Sequence, residues 1–468
     1  MITLVKGTVL TYLLKADSPK EEGWIASALT YTVPNFWFMK SFKRGVWDGR
    51  FSFYNKWSKS FPTGLLDVLP ESLKPYLIIT DGRKKPECLV CEPEAAGIEL
   101  RDYQIESVRR AIEKENCIIT APTNAGKTEC GAAIIHSLSG LKTLWVTHRG
   151  ALSSQTRERL ENRLGESVGL IQGNEFDPNV RVNVGMVQTL CTRLKSEKRY
   201  KEYLHSVDVM ILDECHHTSS KTWQSIAKNC TAYYRIGLSA TPLLREEISN
   251  LWLIGLTGSE IKTVSNKELI QRGISAAPRI IRIRNVVRIR IQGLYRRSYE
   301  IGIEENEDRN KTIAGLARLH KEQGDTTLVL VNTIKHGQAI LGKSPEGTVF
   351  LTGNDPAEYR DSVLHGLRSG EVKTVIATPI FDEGVDAPQI GVLILAGAGK
   401  SHLLLLQRLG RGMRKKTSGK NEVLVYDFED RGDKYLEGHS LYRLKLYRDE
   451  GFKVFSADIS FNRRVEHD

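Results

Sequence analysis

The residues Ala121-Pro122-Thr123-Asn124-Ala125-Gly126-Lys127-Thr128 have the types and order of a loop that binds phosphate groups. Such a loop directs backbone N–H groups at phosphate oxygens, and a glycine beside the lysine lets the main chain approach closely. Lys127 would contact the β- and γ-phosphates, and the Thr128 hydroxyl would bind Mg²⁺. The loop backbone would complete the contacts through Thr123, Ala125 and Gly126. Ala121 replaces the usual first glycine, so a helix start that contains Gly-Lys-Thr by chance is the alternative.

Two carboxylates follow the apolar run Val209–Leu212. Ligands of parallel sheets bind at the carboxyl ends of the strands, so both carboxylates should face the phosphate loop. Asp213 would hold hydrated Mg²⁺, and Glu214 would orient and polarise the attacking water. The alternative is an acidic turn after a buried strand, which the intact Lys127-Thr128 pair disfavours. His217 is expected to be structural.

Two further segments fit the same site. Gly237–Pro242 follows another apolar run, and its hydroxyls, Ser239 and Thr241, could sense the site and relay its state. Gln104 lies at a predicted helix start before the loop, where its amide could pair with the adenine edge while Arg101 packs on the base.

The elements that position these residues follow from hydrophobic patterning. Apolar runs alternate with helical stretches, which predicts an α/β fold with parallel sheets covered on both faces. In the first half these runs are Leu144–Thr147, Val182–Met186, Val209–Leu212 and Arg235–Leu238. In the second half they are Thr327–Val331, Val349–Leu351, Thr374–Ala377, Val392–Ala396 and Val423–Tyr426.

Composition limits the class of protein. The chain has 468 residues, which predicts two or three domains, and its net charge of +11 favours an anionic partner such as nucleic acid. Seven scattered cysteines indicate a reduced compartment, and Cys88 and Cys91 are expected to be ordinary thiols rather than zinc ligands. No run approaches the roughly 18 apolar residues of a membrane span, so we expect a soluble, cytoplasmic protein.

The order of these motifs resembles the superfamily 2 helicase core and covers about the last four-fifths of the chain. The resemblance implies two RecA-like parallel-sheet domains in tandem, with ATP and Mg²⁺ between them. We expect them at residues 96–277 and 278–468, after a small α+β accessory domain at residues 1–95. The second domain should lack its own phosphate loop.

Further site residues come from this resemblance. The segment Ala377–Pro388 is similar to one that contacts a DNA phosphate, here through Thr378, and the ribose, here through Asp386. The segment Gln407–Arg414 resembles the arginine-finger helix, with Gln407 near the nucleotide. Arg411 and Arg414 lie one helical turn apart, so both could reach the γ-phosphate from one face. We also assign Arg149 and Gln188 to the DNA path.

Aromatic and basic residues alternate between Asn35 and Phe61, where Asp48 is the only acid. Aromatic rings stack on bases and cations neutralise phosphates, so this composition predicts DNA contact, with Trp47 and Arg50 as candidates. The alternative is a small β-rich domain whose aromatics fill its core. The segments Phe42–Arg50 and Phe61–Leu65, and the tail His439–Phe452, resemble the UvsW group of phage helicases. That resemblance implies branch migration, fork regression and R-loop removal with 3′–5′ polarity.

The segment Arg279–Arg297 contains seven arginines and no acid. Arginine and isoleucine alternate there in two short runs, which predicts strands with one face of each type. Arg282 and Arg284 would then contact duplex DNA. A solvated edge strand, with arginines that deter aggregation, is the alternative.

The sequence therefore predicts a monomeric, ATP-dependent helicase acting on branched DNA, in the host cytoplasm if a phage encodes it. Forks, D-loops and RNA–DNA hybrids are its expected substrates, and recombination, replication and repair its expected context. An RNA helicase, a restriction-type duplex translocase and a non-enzymatic DNA-binding scaffold are the alternatives. Lys127, Glu214 and Arg411 together disfavour the scaffold.

Overall fold

The computed structural model describes residues 1–148, 150–243, 246–286, 294–379, 390–416 and 421–457. It divides into two compact units, Met1–Pro122 with Gly126–Val264 and Ser265–Asp468 with Thr123–Ala125. The division after Val264 precedes the boundary expected at residue 277. The N-terminal 95 residues belong to the same unit as the first large sheet.

The N-terminal region is a small α+β unit with an aromatic core. Its strands are β1 (Ile2–Lys6), β2 (Leu10–Ala16), β3 (Thr30–Thr32), β4 (Arg50–Ser52), β5 (Ser60–Pro62) and β6 (Leu77–Asp81), and its helices are α1 (Pro19–Ala28) and α2 (Lys40–Lys43). One sheet has the order β5-β2-β1-β6, and β3 pairs with β4 in a second. The buried side chains include Phe53, Tyr54 and Phe61, so part of the aromatic content fills a core, as the structural alternative predicted.

The first large sheet is parallel and has seven strands in the order β13-β7-β12-β11-β8-β10-β9. Its strands are β7 (Asn116–Thr120), β8 (Thr143–Thr147), β9 (Gly169–Ile171), β10 (Val182–Met186), β11 (Val209–Asp213), β12 (Tyr234–Ser239) and β13 (Ser259–Lys262). Its helices are α3 (Asp102–Lys114), α4 (Lys127–Ser137), α5 (Gly150–Leu164), α6 (Val187–Ser196), α7 (Lys198–His205), α8 (Lys221–Asn229) and α9 (Glu247–Thr257).

Both faces of this sheet are buried, because alternate residues of each strand enter different hydrophobic clusters. Ile119 and Trp145 belong to one cluster, and their neighbours Ile118 and Leu144 belong to the other. On α4, a Cβ atom at Gly131 would overlap the Trp145 ring. The glycine therefore lets α4 lie directly against β8, which fixes the helix that begins at the phosphate loop.

The N-terminal region packs against α9 of the first large domain. The rings of Phe51 and Phe53 lie 6.0 and 5.0 Å from the ring of Trp252, measured between centroids. At Gly64, a Cβ atom would overlap the carbonyl oxygen of Ile254, so the two backbones are in direct contact there. This close packing attaches the N-terminal region to the first sheet through α9.

The second unit contains another parallel seven-stranded sheet, in the order β16-β17-β15-β18-β19-β14-β20. Its strands are β14 (Ala277–Val286), β15 (Thr327–Leu330), β16 (Val349–Leu351), β17 (Thr374–Ala377), β18 (Val392–Ile394), β19 (Glu422–Arg431) and β20 (Lys453–Ala457). Its helices are α10 (Asn266–Gln271), α11 (Tyr295–Tyr299), α12 (Glu307–Glu322), α13 (Ile334–Leu341), α14 (Ala357–Ser369), α15 (His402–Gly412) and α16 (Lys434–Asp449). Two parallel sheets and a small α+β region confirm the predicted fold class.

The arginine-rich strand β14 differs from both of its predicted roles. It lies between β19 and β20, so it is not an edge strand. Arg282 is buried, and its guanidinium donates hydrogen bonds to the carbonyl oxygen and hydroxyl of Ser440 in α16. The prediction that Arg282 contacts DNA is therefore wrong in this structure, because α16 covers that face. Arg284 on the same strand is exposed, and the second arginine run, with Arg288 and Arg290, lies outside the described residues.

Buried charges attach α12 and α16 to the second sheet. The Nε atom of Arg443 lies 3.0 Å from both carboxylate oxygens of Asp427. Arg309 donates to Asp430 at 2.8 Å and to the carbonyl oxygen of Ala396 at 2.9 Å. This network explains why Arg443, one of the two arginines of the tail segment His439–Phe452, is buried. Of the helices described, none has both the length and the apolar character needed to cross a membrane.

Candidate nucleotide-binding site

The phosphate loop connects β7 to α4 and makes two left-handed turns. Asn124 has φ 74° and Gly126 has φ 81°. Asparagine tolerates this region better than most other non-glycine residues, so Asn124 can make the turn without a glycine. Gly126 is favoured chiefly by its left-handed conformation, and a Cβ atom at this position would also force the amide of Gln104 to move.

Lys127 and Thr128 are the first two residues of α4. The Nζ atom of Lys127 lies 3.4 Å from the carbonyl oxygen of Ala121, so the ammonium group reaches back across the loop. The N-terminus of α4 adds unpaired N–H groups and the positive end of the helix dipole. This arrangement can bind an anionic phosphate group.

Gln104 connects the start of α3 to the phosphate loop. Its Oε1 atom accepts a hydrogen bond from the N–H of Arg101 at 2.8 Å, and its Nε2 atom donates to the carbonyl oxygen of Gly126 at 3.5 Å. The Arg101 side chain is exposed and donates to the hydroxyl of Tyr103. Gln104 therefore positions the loop, and its pairing with adenine stays a prediction.

The two predicted carboxylates lie at the same edge of the sheet as the loop. Strand β12 pairs with both β7 and β11, so the carboxyl ends of these strands place the loop, Asp213 and Ser239 side by side. Desolvation and the neighbouring Glu214 carboxylate raise the pKa of Asp213 to about 6, and the Lys127 ammonium opposes that rise. The Asp213 carboxylate therefore lies in surroundings that a cation would stabilise.

The residues present fit a nucleotide-bound Mg²⁺. The Asp213 carboxylate accepts a hydrogen bond from the N–H of Glu214 at 3.0 Å. Within the described residues, no cluster of three or more His, Cys, Asp or Glu side chains is placed to hold a metal alone. A hydrated ion with few protein ligands, completed by phosphate oxygens, is the coordination that Mg²⁺ prefers. Asp213 and the Thr128 hydroxyl would hold it.

His216 joins the two strand ends and was not assigned a role from the sequence. Its Nδ1 atom lies 3.3 Å from Oε2 of Glu214 and 3.1 Å from the hydroxyl of Ser239. Ser239 also accepts a hydrogen bond from the N–H of Thr241 at 3.2 Å. The sequence signal that could have identified it is the position of a histidine two residues after Glu214.

His217 packs between the rings of His148 and Trp223, which agrees with a structural role.

The residues of the second unit that were predicted to contact nucleotide or DNA lie in different environments. Thr378 is buried after β17, and Gln407 is buried in α15. α15 ends at Gly412, and Arg414 forms an isolated β-bridge with Ser275. The expectation that Arg411 and Arg414 share one helical face is therefore wrong, because Arg414 lies beyond the helix. The side chain of Arg411 and the whole of Asp386 lie outside the described part.

Only some of the residues predicted to contact DNA lie in the part of the chain that the structure describes. Gln188 is exposed near the start of α6, and Arg149 lies outside the described residues. Arg50 is exposed, and Trp47 is half-buried with its indole N–H donating to the carbonyl oxygen of Arg50 at 2.7 Å. Trp47 therefore has a local structural role. Trp37 and Phe38, at 50% and 70% exposure, present more aromatic surface to solvent.

Two family profiles match the chain. Residues 97–244 match the family described as the type III restriction enzyme, res subunit. Residues 309–416 match the helicase conserved C-terminal domain. The first match contains the phosphate loop and the carboxylate pair, and the second contains α15.

Several curated relatives are helicases or translocases. The DNA 3′-5′ translocase XPB2 of Sulfurisphaera tokodaii is 28% identical over 373 residues, covering 72% of this chain and 82% of the relative. The ATP-dependent DNA helicase UvsW of Enterobacteria phage T4 is 25% identical over 403 residues, covering 78% of each. The chain spans 60% of the length of a Halobacterium salinarum protein named as the DNA 3′-5′ helicase Rad25, at 27% identity and 79% coverage of this chain.

Solved structures share the fold. A fragment assigned to an HsdR subunit of a type I restriction enzyme from Vibrio vulnificus has a TM-score of 0.59 at 19% identity, covering 79% of this chain and 70% of that one. The restriction-modification enzyme LlaBIII bound to DNA has a TM-score of 0.57 at 16% identity, covering 78% and 32%.

The matched domains, two parallel sheets and the phosphate loop with its carboxylate pair define this chain as a member of the superfamily 2 helicases. Within that superfamily it resembles the UvsW-type enzymes. It is an ATP-dependent DNA helicase.

Proposed function

We propose that this helicase acts on branched DNA, moving with 3′–5′ polarity to migrate junctions, regress forks and unwind R-loops or D-loops. The observation that supports it best is the attachment of an aromatic and basic N-terminal region to α9, near the candidate ATP site. The region exposes Trp37 and Phe38, together with Lys40, Lys43 and Arg44. The polarity is supported by the 3′-5′ relatives.

The ATP chemistry follows from the residues at the strand ends. Bound Mg²⁺ would neutralise phosphate charge during transfer. Lys127 would contact the phosphates, and Glu214 would orient the attacking water, with its carboxylate steadied by His216. We infer that Gln407, Arg411 and Arg414 add contacts from the second domain, and that Asp386 contacts the ribose.

Helix α9 supplies a physical route between DNA and ATP. It contacts the short helix Cys215–Ser219, which directly follows Glu214, and it carries Trp252 on the side that meets the N-terminal region. Asn250 of α9 donates a hydrogen bond to the carbonyl oxygen of Leu243 at 3.2 Å, just after Thr241. A movement of the N-terminal region on binding DNA would therefore be transmitted through α9 to the segments that surround the candidate hydrolysis site.

Steady-state ATP hydrolysis with several nucleic acids tests this proposal. The panel is a four-way junction, a fork, a linear duplex, single-stranded DNA and single-stranded RNA at equal phosphate concentration. Strongest stimulation by the junction or fork is expected. Preferential stimulation by linear duplex would indicate a restriction-type translocase, and by RNA an RNA helicase.

Strand displacement on matched forks then tests direction. Forks with only a 3′ or only a 5′ single-stranded arm, in DNA and RNA versions, are compared with ATP present. We expect unwinding of the DNA fork with the 3′ arm. Unwinding only from the 5′ arm would contradict the proposed polarity.

A further inference from the structure

The turn between Asn55 and Ser60 carries the most exposed tryptophan of the described chain. The Trp57 side chain is 98% exposed, whereas Trp145 and Trp223 are buried and Trp252 packs against Phe53. Tryptophan is highly buried on average because its ring is large and apolar. An indole held almost wholly in water is therefore a feature that the folded chain does not need for its own core.

This turn is held in one conformation by its hydrogen bonds. The backbones of Asn55 and Ser60 exchange two hydrogen bonds, of 2.8 and 3.2 Å. The Oδ1 atom of Asn55 accepts from the N–H groups of Trp57 and Ser58 at 2.9 and 3.2 Å. Lys59 has φ 46°, a left-handed conformation that lysine rarely adopts. Such strain persists only where the surroundings enforce it and is often associated with function.

The charges around the turn suit an anionic partner. Lys56 and Lys59 flank the indole and both are exposed, although Lys59 also lies 3.4 Å from a carboxylate oxygen of Glu22. Between Asn35 and Phe61, Asp48 is the only acid. A flat apolar ring beside cations is the combination that stacks on a nucleobase while neutralising the neighbouring phosphates.

Stacking geometry then selects the kind of DNA. Inside a continuous duplex both faces of each base are covered by neighbours, so a protruding ring has no free face to contact. At a fork or junction the last paired base exposes one face, and unpaired bases expose both. A single exposed indole can therefore distinguish a branch point from the interior of a duplex.

We propose that Trp57 stacks on an exposed base at the branch point and that this contact contributes to branch selectivity. The inference rests on the proposed function of the N-terminal region as a surface that binds branched DNA. It adds one residue and one type of contact, separate from the phosphate contacts of the lysines and arginines.

Equilibrium binding of full-length variants tests the proposal. W57A, W57F and the control Y359A are titrated without ATP against a fork, a linear duplex of equal length and single-stranded DNA. Tyr359 is 46% exposed on α14 and has no proposed DNA role, so its loss controls for removal of a surface aromatic ring. A fork with 2-aminopurine as the last paired base reports stacking directly.

For W57A we expect the affinity for the fork to fall about tenfold, which is the loss expected for one base–aromatic stack. Its affinity for linear duplex should change less than about twofold. W57F should restore most of the affinity and the 2-aminopurine change, and Y359A should match the unaltered protein. Equal binding of the fork by W57A and the unaltered protein would overturn the proposal, as would equal losses on fork and linear duplex.

The unaltered protein separates this inference from the proposed function. If it binds fork and linear duplex equally, the proposed branch preference is wrong. The stacking contact is then judged with single-stranded DNA, where W57A should still bind about tenfold more weakly. Unchanged binding there would overturn the stacking role as well.

Discussion

The Nδ1 atom of His216 lies 3.1 Å from the hydroxyl oxygen of Ser239, so one imidazole connects the segment after β11 to the segment after β12. The same nitrogen lies 3.3 Å from Oε2 of Glu214. Both His216 and Ser239 are buried, which shields these contacts from competition with water. A change in the carboxylate during hydrolysis would therefore be transmitted to Ser239 and, through its hydrogen bond from Thr241, further along the chain.

Replacing His216 by alanine should lower kcat for DNA-stimulated ATP hydrolysis by about 10- to 100-fold, a range typical for groups that orient a reactive residue. Nucleotide affinity should change little, because the imidazole contacts the carboxylate and not the phosphate loop. Steady-state turnover and a fluorescent-nucleotide titration measure the two effects. Ser239→Ala should also lower kcat, and His205→Ala, at the exposed end of α7, should not. Normal turnover in His216→Ala would show that the contact is not used.

Lys127 and Glu214 should give opposite patterns of loss. Lys127→Ala should abolish ATP binding and turnover, because the phosphates lose their counter-ion. Glu214→Gln should retain binding and lose at least about 100-fold in turnover, because the amide cannot accept a proton from water. Nucleotide titration and single-turnover hydrolysis separate the two steps. Substantial ATP hydrolysis by Lys127→Ala would refute the assignment of the phosphate loop.

Arg235 is a buried cation that holds three carbonyl groups. Its guanidinium donates to Leu256 at 2.8 Å, Cys230 at 2.8 Å and Ala227 at 2.7 Å. Burial lowers its pKa to about 10, so it stays protonated at neutral pH. These carbonyls lie at the ends of α8 and α9, where backbone acceptors lack helical partners.

Arg235→Met should therefore reduce the free energy of unfolding by about 3 kcal/mol or more, because the buried carbonyls lose their donors. Urea unfolding followed by circular dichroism measures the loss. Arg110→Met removes an exposed arginine of α3 and should stay within about 0.5 kcal/mol of the unaltered protein. Similar small effects for both variants would contradict the structural role of Arg235.

Sequence reasoning placed residues correctly where a short motif directly follows a strand. The loop around Lys127 and the pair Asp213-Glu214 each follow an apolar run, and parallel strands necessarily bring such ends to one edge of the sheet. The fold class was predictable for the same reason, since buried parallel strands read as continuous apolar segments. Local pattern was enough because these features depend on neighbours along the chain.

Sequence reasoning failed where the environment of a residue depends on an element that is distant in the chain. Alternation correctly separated isoleucines from arginines in β14, but it could not show that α16 covers Arg282. The helical spacing of Arg411 and Arg414 assumed a continuous helix, whereas α15 ends at Gly412. His216 was missed because its importance comes from Ser239, which is distant in sequence and adjacent only after the strands pair.

The contact between the N-terminal region and α9 can be tested by adding one methyl group. Gly64→Ala would place a Cβ atom 1.9 Å from the carbonyl oxygen of Ile254. That oxygen belongs to the backbone, so no flexible side chain can move aside to relieve the clash. Stability should fall by about 1 to 3 kcal/mol, as for other overpacked sites. Gly23 in α1 has no atom within 4 Å of the added Cβ position, so Gly23→Ala should stabilise by about 0.5 to 1 kcal/mol through helix propensity.

Urea unfolding and limited proteolysis of both variants measure these effects. Gly64→Ala should also expose the N-terminal region to faster cleavage and weaken DNA stimulation of ATP hydrolysis, because that region would no longer be held on α9. Gly23→Ala should retain the cleavage rate and the stimulation of the unaltered protein. Both variants add the same methyl group to the same region, so opposite effects would locate the coupling at α9. Unchanged stability and stimulation in Gly64→Ala would show that the N-terminal region does not depend on this contact.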